Sequence, residues 1–231
     1  MLPERNFSQL EARIGYTFKN QNLLQRVFLH RSALNEHRGE NLENNERMEF
    51  LGDAVLELIS TEYLYNNFKN PEGELTNWRS ALVRGQHLAV KAEQLEFGDL
   101  MYLSRGEQKS GGKAKQLILA NAFEALIGAM YLDGGYDCAS KFVHRYIISD
   151  LNDILSNNLH LDPKSHLQEL TQEKHGITPN YRVLKEEGPD HNKQFVVGAY
   201  LGEKQIGEGS GTSKKTAQIA AAANALASQT K

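Results

Sequence analysis

The sequence contains a single cysteine, Cys138, among its 231 residues. An internal disulfide is therefore excluded, and the scarcity of cysteine favours a reducing compartment, with the cytoplasm as the expected location. No apolar run approaches the ~20 residues of a membrane span, and the N-terminus lacks a basic region followed by an apolar one. We therefore expect neither a membrane segment nor a secretion signal.

An excess of positive charge is also lacking. The chain has 26 Lys and Arg residues against 29 Asp and Glu residues, so its net charge is -3. Residues 162–231 include 9 basic and 8 acidic residues, whereas residues 1–161 include 17 basic and 21 acidic residues. A protein that is basic throughout is excluded, and any binding of nucleic acid must depend on local patches.

Helical periodicity dominates the first two thirds of the chain. Apolar residues recur at helical spacing in residues 7–14, 22–31, 46–68, 75–96, 117–132 and 137–155. Residues 104–116 are polar and rich in glycine, which predicts an exposed loop. The pattern predicts an all-α domain over residues 1–157.

The period changes after a linker-like stretch at residues 158–163. Residues 164–175 are typical of a helix, and residues 180–185, 194–200 and 205–208 alternate as strands do. An alanine-rich helix is predicted from about residue 213 to residue 228. Residues 164–231 therefore form a predicted small α+β domain with the order α-β-β-β-α, in which two helices cover one face of an antiparallel sheet.

Residues 45–56, which read NERMEFLGDAVL, place three carboxylates in an apolar, helix-forming stretch. Glu46, Glu49 and Asp53 are spaced i, i+3, i+7 and so share one stripe of a helix. Like charges crowded on a helix repel each other and need either solvent or a cation. The pattern leaves open a solvated acidic face or a site for magnesium or manganese, which prefer oxygen ligands.

A second carboxylate, Glu124, lies in the apolar stretch LILANAFEALIGAMYL of residues 117–132. Asn121 precedes it by three residues and shares its face of the helix. A buried carboxylate requires pairing, protonation or a metal ion. The pattern leaves two possibilities open. Asn121 and Glu124 form a hydrogen-bonded pair at a helix interface, or they form half of an oxygen-rich metal site.

These motifs resemble a known family. NERMEFLGDAVL at residues 45–56 closely resembles the signature of ribonuclease III, and FEALIGAMYLDG at residues 123–134 resembles its second acidic block. GEQKSGG at 106–112 and LHRSALNEH at 29–37 match as well, and the tail resembles a double-stranded-RNA-binding domain. The resemblance covers nearly the whole chain.

The resemblance implies an Mg²⁺-dependent endonuclease of double-stranded RNA, with Mn²⁺ as a substitute ion. It implies a homodimer, products with a 5′-phosphate and short 3′ overhangs, and a role in rRNA or mRNA processing. By motif, Glu49, Asp53 and Glu124 match metal ligands, and Asp53 and Glu124 match catalytic residues. Glu46 matches an outer acidic residue, and Phe50 matches an aromatic contact to the partner subunit.

Asn121 departs from the family pattern, which has an aspartate ligand at this position. An amide oxygen can still coordinate a hard cation, but it brings no charge. We expect Asn121 to remain a metal ligand in an active enzyme that needs more magnesium. The alternative is a cleavage-attenuated double-stranded-RNA-binding protein with the nuclease fold.

The RNA contacts are expected in three places in the second domain. The N-terminus of the last helix, capped by Ser213, favours phosphate binding, and two lysines follow it. One side of the first helix and the turn at residues 188–192 are suited to successive minor grooves of A-form RNA. The candidate residues are Gln168, Glu169, Gln172, His191, Lys214 and Lys215.

Overall fold

A computed structural model describes residues 2–36, 42–109, 111–189 and 193–229. The chain forms two compact units, Met1–His160 and Leu161–Lys231, and each is described by itself. The point of division falls inside the stretch that the sequence predicts as the linker.

The first unit is helical. In its described residues the α-helices are α1 Ser8–Ile14, α2 Gln21–Val27, α3 Arg31–Leu34, α4 Glu46–Asn67, α5 Glu72–Val83, α6 Gly85–Gln94, α7 Phe97–Leu100, α8 Arg105–Gln108, α9 Lys113–Tyr146 and α10 Leu151–Ser156. A 3-10 turn at Ile148–Asp150 precedes α10.

Three local predictions are corrected. The helix predicted over residues 75–96 is divided into α5 and α6 because Arg84 has an extended conformation, with ψ 139°. The helix predicted over 117–132 begins earlier, so α9 runs from Lys113 through a bend at Gly135, where φ is 77°. The loop predicted at 104–116 contains α8, which begins where the Ser104 hydroxyl accepts a hydrogen bond from the Glu107 backbone N–H at 3.2 Å.

Helix α9 lies at the centre of this unit, against α2, α4 and α6. The stretch Ala114–Ser156, which includes most of α9 and continues through α10, is the one described stretch long and apolar enough to cross a membrane. However, 61% of its most apolar window is buried inside the protein. Phe123, Leu126 and Ile127 have no exposed surface. The apolar character of α9 is therefore explained by its place in the core.

The second unit has the order α-β-β-β-α, as predicted. Helix α11 spans Pro163–His175, strands β1 Asn180–Glu187, β2 Gln194–Leu201 and β3 Lys204–Gly211 follow, and α12 spans Lys214–Gln229. The strands form an antiparallel sheet in the order β1-β2-β3. Val197 and Ala199 of β2 pack with Leu167 of α11 in a small core.

The alanines of α12 allow this helix to approach the sheet closely. A Cβ added at Gly209 of β3 would lie 2.2 Å from the Ala221 backbone nitrogen, and one at Gly207 would lie 2.5 Å from the Ala221 carbonyl oxygen. Only small residues on both elements permit such contact. The alanine run therefore serves helix–sheet packing.

Candidate metal centre and nucleic-acid interface

The N-terminus of α4 is anchored by Asn45, a buried polar residue. Its side-chain amide donates to the Val27 carbonyl at 2.9 Å, and its backbone N–H donates to the Leu29 carbonyl at 3.0 Å. The acidic residues Glu46 and Glu49 lie in the first turn of α4. The helix dipole favours carboxylates there, so the local fold offsets part of their repulsion.

Helices α4 and α9 cross in direct backbone contact at two glycines. A Cβ at Gly52 would lie 1.8 Å from the Glu124 carbonyl oxygen, and a Cβ at Gly128 would lie 2.3 Å from the Met48 carbonyl oxygen. No other residue type fits at either position without moving the helices apart. The crossing brings the acidic stripe of α4 beside Glu124.

Four side chains with oxygen atoms lie together at this crossing, those of Glu49, Asp53, Asn121 and Glu124. Burial, followed by the charges of Asp53 and Glu49, raises the pKa of Glu124 to about 8. Burial and the neighbouring charge of Glu46 also raise the pKa of Glu49, and a hydrogen bond from the Asn121 amide opposes this rise. Repulsion between neighbouring carboxylates therefore contributes to the raised pKa of both groups, after burial.

Glu46 differs from the other three acids because it is paired with a basic side chain. Its carboxylate lies 3.5 Å from Nη1 of Arg31 and accepts a hydrogen bond from the Asn44 amide at 3.0 Å. Among the described residues, no ion pair joins Glu49, Asp53 or Glu124 to a lysine or arginine. Within the described ranges, the basic side chain that compensates negative charge at the crossing is Arg31, which pairs with Glu46 and lowers the pKa of Glu49 by its charge.

The donor set fits a hard divalent cation. Glu49, Asp53 and Glu124 offer carboxylate oxygens, and Asn121 can offer its amide oxygen. Within the described ranges, no three His, Cys, Asp or Glu side chains converge tightly enough to hold an ion by themselves. Magnesium suits such an arrangement because it retains several water ligands when few protein groups bind it.

An apolar stripe lies on the exposed side of α4. Phe50 is 81% exposed, Leu58 is 58% exposed and Tyr65 is 75% exposed. Their spacing of eight and seven residues places them on one face of the helix. An ordinary core role for Phe50 is excluded, and the stripe has the character of an interaction surface.

In the second unit, the predicted contact residues lie at two helix surfaces. Gln168, Glu169 and Gln172 are exposed on α11, and Lys214 and Lys215 are exposed in the first turn of α12. His191 lies outside the described residues.

Ser213 caps α12 as predicted. Its hydroxyl accepts from the Thr216 N–H at 3.1 Å, and the Thr216 hydroxyl accepts from the Ser213 N–H at 3.0 Å. This reciprocal pair fixes the helix end from which the two lysines project.

Two family models match the chain in the same order as its two units. Residues 20–151 match the model described as Ribonuclease-III-like, and residues 163–229 match the double-stranded RNA binding motif. The chain belongs to the ribonuclease III family. It is accordingly an endoribonuclease of that type, and its second unit is a double-stranded-RNA-binding domain.

Relatives across bacteria support membership of the ribonuclease III family. The chain is 46% identical over 218 residues to Ribonuclease 3 of Oceanobacillus iheyensis, which covers 94% of this chain and 95% of the relative. It is 44% identical to Ribonuclease 3 of Pelotomaculum thermopropionicum, with coverage of 94% and 90%.

Two solved structures of ribonuclease III nuclease domains are similar to this chain. The crystal structure of the ribonuclease III nuclease domain from Campylobacter jejuni is 40% identical, with a TM-score of 0.57, and the match covers 64% of this chain and 97% of that domain. A second structure of that domain, described as flexible in a region involved in dimer formation, is 41% identical, with a TM-score of 0.56 and coverage of 62% and 97%.

The tertiary structure adds residues that sequence reasoning did not select. Gly52 and Gly128 allow the ribonuclease III acids of α4 and α9 to meet, and Arg31 neutralises the outer acid, Glu46. A signal for the glycines was present, because glycine inside a helix is unfavourable and indicates close backbone approach. Arg31 lies in the segment at 29–37 that matches the family, but no residue spacing linked it to Glu46.

Proposed function

We propose that this member of the ribonuclease III family is an Mg²⁺-dependent endonuclease that cleaves double-stranded RNA. The observation that carries the proposal is the Gly52–Gly128 crossing, which sets carboxylates from two helices side by side, and in the described part of the chain neither Asp53 nor Glu124 forms an ion pair with a lysine or arginine. Maintaining this uncompensated charge is unfavourable, so a cation-binding role explains it better than a structural one.

Glu49, Asp53, Asn121 and Glu124 would hold the ion, for which Mn²⁺ is a substitute. A bound divalent ion polarises the phosphoryl oxygen and lowers the pKa of a bound water. Asp53 and Glu124 are the proposed catalytic residues. Asn121 lowers the pKa of Glu49 by hydrogen bonding, and it leaves the cluster with one negative charge fewer than an aspartate would.

Glu46 has a separate proposed role at the outer edge of the site. Its exposed carboxylate is held by Arg31, so the pair can exchange partners when RNA phosphates approach the guanidinium. This position agrees with an outer acidic residue rather than a ligand.

A homodimer is proposed because Phe50, Leu58 and Tyr65 form an exposed apolar stripe on α4. Two copies of the site, each cutting one strand, would give the 5′-phosphate products with short 3′ overhangs. Phe50→Ser should shift the protein from dimer to monomer in analytical ultracentrifugation at micromolar concentration. A Phe50→Ser variant with the sedimentation of the original chain would contradict the role given to Phe50.

The second unit is proposed to bind the duplex by shape rather than sequence. Lys214 and Lys215 would contact phosphates at the N-terminus of α12, where the dipole already favours anions. Gln168, Glu169 and Gln172 would reach 2′-hydroxyls in a minor groove, and His191 would reach the next one. Precursor rRNA and mRNA in the cytoplasm are the proposed substrates.

Cleavage of a labelled RNA duplex with and without magnesium tests the proposed activity. We expect the original chain to cleave only with the ion, Glu124→Gln to bind RNA without cleaving it, and Glu57→Gln to behave as the original. Glu57 is an exposed carboxylate on the same helix and is the matched control. Cleavage in EDTA, or full activity of Glu124→Gln, would refute the proposed metal centre.

The same experiment addresses the cleavage-attenuated alternative. The comparisons give that alternative no support, since the relatives are named as ribonucleases over nearly their whole length. Binding of the duplex without cleavage at any magnesium concentration would establish it in place of the enzyme.

A further inference from the structure

One half-buried side chain, Lys164, joins the two RNA-contact helices of the second unit. Its Nζ donates to Oε1 of Gln218 on α12 at 2.8 Å and lies 4.9 Å from the centre of the Tyr181 ring on β1. A single ammonium group on α11 therefore contacts both the other helix and the sheet.

The apolar contact between α11 and α12 does little to fix their relative position. The buried face of α12 consists of alanines, including Ala217 and Ala221, against which Leu167 of α11 packs. A methyl group is a short projection, so an alanine surface interlocks weakly with a neighbouring helix. A directional polar contact between the helices would therefore define their register more closely than the apolar packing does.

The position of Lys164 is unfavourable unless its contacts compensate. It lies in the first turn of α11, where the helix dipole disfavours a cation. Holding a long side chain in one conformation also costs conformational entropy. The hydrogen bond to Gln218 and the cation–π contact with Tyr181 account for this placement, and they leave the ammonium engaged within the fold.

We propose that Lys164, held by Gln218 and Tyr181, is a positioning residue that fixes the spacing between the minor-groove residues of α11 and the phosphate-binding lysines of α12. This inference rests on the proposed binding of double-stranded RNA. Shape recognition requires both contact sets to match the groove spacing of one duplex. A pre-set spacing avoids the cost of ordering the helices on binding.

The test uses neutral substitutions, so that loss of charge does not confuse the result. Gln218→Met removes the acceptor and Tyr181→Leu removes the ring, and neither changes the net charge. Tyr181→Phe is the matched control, since it keeps the ring and removes only a buried hydroxyl without a hydrogen-bond partner in the described structure. Binding of the full chain is measured in EDTA to an RNA duplex of about 16 base pairs and to the corresponding DNA duplex.

We expect Gln218→Met and Tyr181→Leu to weaken RNA binding about fivefold to tenfold, because binding must then order the helices. The ratio of RNA affinity to DNA affinity should decrease in both variants. Tyr181→Phe should bind both duplexes as the original chain does. Circular dichroism at the assay temperature checks that each variant is folded.

Two results would overturn the positioning role. One is unchanged affinity and unchanged RNA preference in Gln218→Met and Tyr181→Leu. The other is an affinity loss that matches the unfolded fraction of each variant, which indicates a purely stabilising contact. Failure of the original chain to bind duplex RNA would instead reject the proposed function itself, so the two failures are distinguishable.

Discussion

Replacing Asn121 by aspartate should change metal binding and stability in opposite directions. Hydrogen bonding by the Asn121 amide lowers the pKa of Glu49, against the burial and neighbouring charges that raise it. Asn121→Asp removes this donor, and a hydrogen bond to a charged group contributes about 1.5–3 kcal/mol. It also adds a like charge, and two charges ~4 Å apart repel by up to about 4 kcal/mol at an effective dielectric constant of 20.

Protonation of a neighbouring carboxylate relieves part of this repulsion, since the pKa of Glu124 is already raised to about 8. We therefore expect Asn121→Asp to lose about 2 kcal/mol of stability without a divalent ion, an amount that lowers the melting temperature by about 4–8 °C. Magnesium should restore this stability, because the ion binds the folded site more tightly than the unfolded chain.

The magnesium dependence of cleavage provides the second readout. An added carboxylate ligand should lower the magnesium concentration for half-maximal cleavage about tenfold or more, which corresponds to about 1.4 kcal/mol. Asn121→Ala is the control, because it removes the hydrogen bond and the amide oxygen without adding charge. It should raise the magnesium requirement.

Identical magnesium curves for the original chain and Asn121→Asp would refute a ligand role for this position. A higher melting temperature of Asn121→Asp in EDTA would refute the electrostatic reasoning independently.

Three further substitutions test packing, electrostatics and capping. Gly128→Ala places a Cβ 2.3 Å from the Met48 carbonyl oxygen, so it should lower the stability of the fold by about 3 kcal/mol and reduce cleavage. Gly73→Ala, at a position with open space around it, is the control. Equal thermal stability of the two variants would contradict the close contact of α4 and α9. Burial alone would raise the pKa of Asp150, but hydrogen bonds from Lys91 and His87 and the charge of Lys91 lower it, so Asp150→Asn should be destabilising at pH 7, by about 2 kcal/mol. A carboxylate whose pKa is lowered by folding stabilises the folded state only while it is ionised. The loss of stability in Asp150→Asn, measured by chemical denaturation, should therefore shrink below about pH 4. A loss that is constant with pH would contradict the pairing. Ser213→Ala removes the cap of α12, so it should lower the stability of the fold by about 1 kcal/mol and weaken RNA binding. Unchanged RNA affinity would show that the cap is not needed for phosphate binding.

Much of the fold followed from local patterns in the sequence. The alternation of residues 180–208 predicted three strands, and these form the antiparallel sheet in chain order. Local patterns failed where one residue changed the backbone. Arg84 divides a predicted helix in two, and apolar periodicity continues across such a break because both halves pack on the same core.

The sequence by itself determined that Glu46, Glu49 and Asp53 share one side of a helix, because helix periodicity depends only on neighbours along the chain. It could not decide between a solvated face and a metal site. That choice depends on what lies opposite, and the tertiary structure supplied Glu124 through the contact of two glycines.

Tertiary structure also decided the electrostatics of the site. The raised pKa of Glu124 results from burial and from carboxylates more than seventy residues away in the chain, Asp53 and Glu49. Such effects depend on distances in space, which no local pattern contains. The sequence thus set which donor groups are present. The packing of α4 against α9 set how close these groups lie to one another and how strongly their charges interact.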